Sequence, residues 1–119
     1  MKALWFISLL FSYSMRALEV VEVYYNPAHD QLEIDVAYEG GCVEHRFELR
    51  LENCAKSYTE NLGSVNVCDG RLVDASAVLD TCHRMVHRKL KVLLETLSKE
   101  ARPVLVGFEN RMVLIPKQS

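Results

Sequence analysis

The 119-residue chain lacks most of the signatures by which a small protein declares a chemistry. It has no Cys-x-x-Cys pair, which argues against a zinc ribbon and against a thioredoxin-like redox centre. No Gly-x-Ser-x-Gly elbow offers a serine nucleophile, and there is no phosphate loop or EF-hand loop. Asn61-Leu62-Gly63 fails as a glycosylation acceptor at its third position. Positive charge is not in excess: 14 Lys and Arg stand against 16 Asp and Glu, for a net charge of −2. A weakly acidic chain makes no electrostatic case for nucleic acid. No repeat, low-complexity tract or linker interrupts it, so it reads as one domain.

What is present begins with Lys2 and an apolar run from Ala3 to Phe11, followed by small residues at Ser12 and Ser14. That run is too short to span a bilayer and has the layout of a cleaved signal peptide. Residues 1–14 are expected to be removed, with Ala17 a second cleavage candidate. Loss of Lys2 takes the formal balance to −3. The remaining chain is large enough for a single modest core.

Cys42, Cys54, Cys68 and Cys82 all follow this segment. An even count in a small exported domain implies two disulfides. Three pairings are possible and sequence alone does not choose among them. The expectation adopted is Cys54–Cys68 closing a local loop, with Cys42–Cys82 tying a first hairpin to the second half. A 15-residue loop closed this way is worth about 3 kcal/mol in the chain-entropy model. Set against a net stability of roughly 5–15 kcal/mol, that is a large share.

Alternation is the main structural signal. Residues 17–25 are rich in Val and Tyr, and Asn26 to Asp30 read as a turn. Leu32, Ile34, Val36 and Tyr38 then alternate with Glu33, Asp35, Ala37 and Glu39. From 43 to 51 the odd positions are apolar except His45, and the even positions from 44 to 52 are all charged. A hairpin turning at Gly40-Gly41 would set Tyr38 against Val43, Ile34 against Phe47 and Leu32 against Leu49. The stretch from Cys54 to Gly63 reads as a loop. Asp69-Gly70 marks either a small hairpin or a bulge in one strand from Ser64 to Asp74. Over 81–101, Met85, Val86, Leu90, Leu93, Leu94 and Leu97 fit a helical stripe, yet 87–94 also reads as a strand before a short helix. Pro103 to Phe108 and Met112 to Ile115 form a closing hairpin.

Four histidines are the candidates for chemistry. His45 lies on an apolar strand face, where the plain reading is a hydrogen-bonded core or rim residue and the sharper one a pH-sensitive or metal-binding group. His29 sits in a polar turn and reads as solvated. His83 and His87 would share a helical face, a geometry suited to a divalent metal. Arg84 stands where a zinc protease needs its glutamate, and Arg84, Arg88, Lys89 and Lys91 would repel a cation. Arg84, Arg88 and Lys91 would themselves align on one helical face, either as an ordinary charged surface or as a contact for an acidic partner, lipid or polysaccharide. Glu44, Glu48 and Glu52 interleave with Arg46 and Arg50, a solvated face rather than an acid pair.

Gly40-Gly41-Cys42-x-x-His45-x-Phe47-x-Leu49 resembles the hairpin of a loosely defined group of small bacterial exported proteins and lipoproteins. Asn53-Cys54, Val67-Cys68, Asp80-Thr81-Cys82 and Leu114-Ile115-Pro116 match that group's later landmarks. The resemblance spans about Val20 to Pro116 and implies a β-rich periplasmic domain with a strand near Lys89 to Leu94. It implies no catalytic residues. The lipidated cysteine of the lipoprotein members has no counterpart here.

The combined expectation is a mostly β domain over 18–116: a small antiparallel sandwich or partly open barrel with one short helix near Leu94 to Ala101. An α+β fold with a longer helix at 81–101 is the alternative. The expected role is non-enzymatic and cofactor-free. It is a periplasmic or secreted binding or structural module for a protein or envelope component, one version being an inhibitor of an exported hydrolase acting through Lys56 to Val67. The alternative is a metal or small-ligand protein using His45 or His83 and His87. No membrane span is expected after signal cleavage.

Overall fold

The computed structural model describes residues 18–76 and 79–118. The expected signal segment, and its cleavage point at 14 or as late as 17, lie outside the described residues. Seven strands form: β1 (Leu18–Asn26), β2 (Gln31–Gly40), β3 (Phe47–Thr59), β4 (Gly63–Asp74), β5 (Arg84–Leu93), β6 (Val104–Phe108) and β7 (Arg111–Ile115). They build two sheets, one ordered β1-β2-β5 and one ordered β3-β4-β6-β7. All neighbours are antiparallel except β4 and β6, which run parallel. The fold is a small β sandwich rather than a closed barrel.

The core lies between the sheets. Leu32, Ile34 and Val36 on β2, Val104 and Val106 on β6, and Ile115 on β7 are almost completely buried. Each such side chain contributes about 1.5–3 kcal/mol on removal from water. β2 is central because both of its neighbours satisfy the same alternation. Ile34 pairs with Val23 on β1 and with Leu90 on β5.

The expected hairpin between β2 and β3 does not form; these strands belong to different sheets. Apolar residues on the two segments do meet, as their matching alternation requires. They meet face to face across the sandwich instead of edge to edge: the Tyr38 and Phe47 rings pack edge-on with centroids 5.1 Å apart. Residues 41–46 are not strand but the crossing between the sheets. Gly40 is needed for a close approach, because a Cβ there would stand 2.6 Å from Asp80 Oδ2.

One further expectation changes and two open ones resolve. The stretch from Cys54 to Thr59, expected as a loop, is strand, and β3 and β4 form one long hairpin turning at 60–62. It is exposed on both faces and so leaves no period of two in the sequence. Of the two readings of Asp69-Gly70 the single strand holds: β4 runs straight through it. Gly70 is there because a Cβ would meet Val106 Cγ1 at 2.6 Å and the Phe108 ring at 2.8 Å. The bulge lies on the partner strand, between Glu52 and Ala55, where Asn53 takes φ +54°. The other open stretch is 81–101, where the strand reading holds. Its first half is β5, and the helix expected near Leu94 to Ala101 shrinks to one 3-10 turn, Lys99–Ala101, capped by the Ser98 hydroxyl. The helical stripe splits apart: Leu90 and Leu94 are buried, while Met85 and Leu93 are 61% and 59% exposed.

Both expected disulfides form, Cys42–Cys82 and Cys54–Cys68. Among the described residues no helix is long and apolar enough to cross a membrane.

Candidate functional site

His45 is the centre of the densest polar cluster. It lies on the inter-sheet crossing and is only 7% exposed. Its Nδ1 is 2.6 Å from Asp74 Oδ2, at the end of β4. Its Nε2 is 2.7 Å from Asp80 Oδ2, in the segment leading into β5. Both ring nitrogens thus face carboxylates, which accept only, so both carry a proton and the ring is an imidazolium. The bond to Asp74 and then that to Asp80 raise the His45 pKa above the usual histidine value, against the opposing effect of burial. Tyr38 and Phe47 flank the ring, edge-on and stacked respectively.

Asp80 is the hub. Besides His45 it accepts from the main-chain N–H groups of Gly41 at 3.0 Å, Val43 at 3.3 Å, Cys42 at 3.4 Å and Cys82 at 3.0 Å. The His45 bond and these backbone donors hold its carboxyl far below the ordinary range, although burial opposes them. Burial pushes Asp74 up, but bonds from Ser76 and His45 outweigh it and the net shift is downward. Arg88 donates to the His45 carbonyl at 2.6 Å, and Arg84 to the Gly41 carbonyl at 2.9 Å. The Cys42–Cys82 disulfide staples the same two segments.

The ligand atoms of Cys42, Asp80 and Cys82 lie within 4.8 Å of one another. The sulfurs are bonded to each other, however, and five donors crowd the Asp80 carboxylate. The imidazolium has no lone pair for a metal or for a proton in transit. The chemistry this arrangement performs is attachment: it clamps the inter-sheet crossing to the entrance of β5 and the exit of β4.

The remaining histidines lie apart from this cluster and from each other. His83 Nδ1 lies 2.5 Å from Glu39 Oε1 at the surface. His87 is exposed on the outer face of the first sheet, in register with Ala37. Extended chain puts four residues about 13 Å apart, too far for one metal ion. The basic residues do not align either. Arg84 and Arg88 turn to the carbonyls of the crossing, whereas Lys91 is an exposed residue registered with Glu33.

Two polar networks had no signal in the sequence. Glu33, 7% exposed though on the outer face, accepts from Tyr24 at 2.7 Å, Asn26 at 2.7 Å and Gln31 at 3.3 Å. These bonds hold its pKa down to about 2. Arg102, 5% exposed, forks onto Asp30 at 2.7 and 3.1 Å and caps the Leu94 carbonyl at 2.9 Å. Tyr24 and Glu33 stand nine residues apart, and Arg102 and Asp30 stand 72 apart. Only Asp80 had a local hint, an Asp-x-Cys turn in which Cys82 donates to the aspartate two residues back.

A further exposed feature is the outer half of the β3–β4 hairpin. Cys54 through Tyr58 are exposed without interruption, and Tyr58 is 77% exposed. Leu62 at the tip is also exposed. The Cys54–Cys68 disulfide braces the base of this arm. On the β4 side, Asn66 donates to the carbonyls of Pro103 and Ala101, propping the arm against the 3-10 turn.

Comparison with protein-family models, curated proteins and solved structures returns no match.

Proposed function

We propose that this protein is an exported, non-enzymatic binding module whose contact surface is the β3–β4 arm. One observation carries the reading: the outer half of β3, exposed along Cys54 to Tyr58 at the edge of its sheet, is covalently braced to β4 and offers a large aromatic to solvent. The brace, together with the pairing of β4 to β6, keeps this contact element in one shape. Export is supported by two disulfides, which persist in oxidising compartments, and by the resemblance to small bacterial exported proteins. A partner protein or envelope component is the expected target, with inhibition of an exported hydrolase as a specific form.

The rival, a metal or small-ligand site at His45 or at His83 and His87, has less support, since both His45 nitrogens are engaged. The deciding experiment is capture from an envelope extract by wild type and by Tyr58→Ala/Leu62→Ala. Loss of the captured protein in the variant, with an unchanged circular dichroism spectrum, supports the arm. Equal capture by both proteins rejects it.

A further inference from the structure

The sandwich leaves four strand edges, and they are not defended alike. On β5 the free edge carries Arg84, Arg88, Lys89 and Lys91, and Arg88 points inward over the Phe47 ring. Cationic and inward-pointing charges are the usual guards against edge-to-edge pairing. On β3, the edge before the bulge carries Glu48, Arg50 and Glu52. Beyond the bulge the same edge reads Ala55-Lys56-Ser57-Tyr58-Thr59, with one charge, no proline and no inward-pointing ion. Among the described residues no strand pairs with it, because β3 ends the second sheet.

This unguarded segment complements itself. In antiparallel pairing with a copy centred on Ser57, Lys56 faces Tyr58 and Tyr58 faces Lys56, so a cation meets an aromatic twice on one face. On the other face Ala55 meets Thr59 and Ser57 meets Ser57. No like charges oppose each other, and the two Lys56–Tyr58 pairs set an ammonium against an aromatic ring. The same operation on β5, centred on Arg88, would set Arg88 against Arg88. Ala55 to Tyr58 are exposed, so the pairing displaces nothing.

We infer that a second copy of this chain occupies the Ala55–Thr59 edge, joining the two β3-β4-β6-β7 sheets edge to edge through β3 about a two-fold axis. The interface is isologous, as in most homodimers. The inference deepens the arm reading, leaving the tips at Leu62 for a heterologous partner.

The test is sedimentation equilibrium over a dilution series of the oxidised protein. Wild type is expected to show a reversible monomer–dimer equilibrium. Tyr58→Lys, which sets lysine against Lys56 at both ends, is expected to weaken it about tenfold or more. Lys56→Glu/Tyr58→Lys restores opposite charges and is expected to recover dimerisation. Both positions are exposed, so circular dichroism should be unchanged. A single monomer mass for wild type across the series overturns the inference, as does a dimer indifferent to Tyr58→Lys. Neither result touches the binding-module reading, which stands or falls on partner capture.

Discussion

His45 and Asp80 meet 2.7 Å apart across 35 residues of chain, in a contact that binds the inter-sheet crossing to the segment entering β5. A second carboxylate, Asp74, holds the opposite nitrogen. A buried imidazolium between two carboxylates is a strong clamp only while it carries its charge, and its pH dependence follows.

Because the His45 pKa is raised in the folded state, its contribution is complete below about 6.5 and is lost as pH rises through the folded value. The lowered values of Asp80 and Asp74 give contributions present above the ordinary aspartate range and lost on acidification. Melting temperature against pH should therefore fall on the alkaline side for wild type. His45→Gln should abolish that alkaline decline and lower stability at neutral pH by about 3 kcal/mol. An alkaline decline unchanged by the substitution would contradict the clamp.

The two disulfides should differ in weight. Cys42–Cys82 spans 40 residues and Cys54–Cys68 only 14. The chain-entropy model gives about 4 kcal/mol for the longer loop and about 3 kcal/mol for the shorter. Urea denaturation of Cys42→Ser/Cys82→Ser and of Cys54→Ser/Cys68→Ser measures both losses. The first pair should lose more, since it also loosens the segments that Asp80 gathers.

Glu33 depends on a tyrosine. The Tyr24 hydroxyl is the leading cause of its pKa near 2, ahead of Asn26. Tyr24→Phe should move the Glu33 titration upward, toward its ordinary 4.5, as followed by carboxyl carbon shifts in NMR. The lowered value stabilises the fold above pH 4.5 and the gain fades as pH falls toward 2. Unaltered titration in the variant would show that Asn26 and Gln31 suffice.

Gly70→Ala tests the packing of β4 on β6. The new methyl would collide with Val106 and Phe108, both buried and with little room to move. A loss of about 1–3 kcal/mol in chemical denaturation is expected. A substitution without cost would mean that Val106 and Phe108 yield room for the methyl, and would contradict the close packing of β4 on β6.

Much of the fold was legible. β1, β2, β6 and β7 stand where alternation and turn residues put them. Those segments turn a row of apolar side chains to the core, so their period records which face meets it. The arm was illegible because exposure on both faces erases the period. β5 was ambiguous because Val86, Leu90 and Leu94 satisfy both a helical and an extended spacing. Only the exposure of Met85 and Leu93 separates the two. At the site, His45 was visible as the one polar residue in an apolar row; Asp74 was not, and Asp80 showed only its local turn onto Cys82.

The sequence by itself determined a β-rich chain with an even cysteine count, through composition and a period of two that act locally. Tertiary structure alone decided which strands share a sheet, since the apolar face of β2 fits β1, β5 and the facing sheet equally well. It also decided what His45 does. An imidazole surrounded by apolar neighbours in sequence became an ion held by two distant carboxylates, and such long-range electrostatic pairing leaves no pattern along the chain.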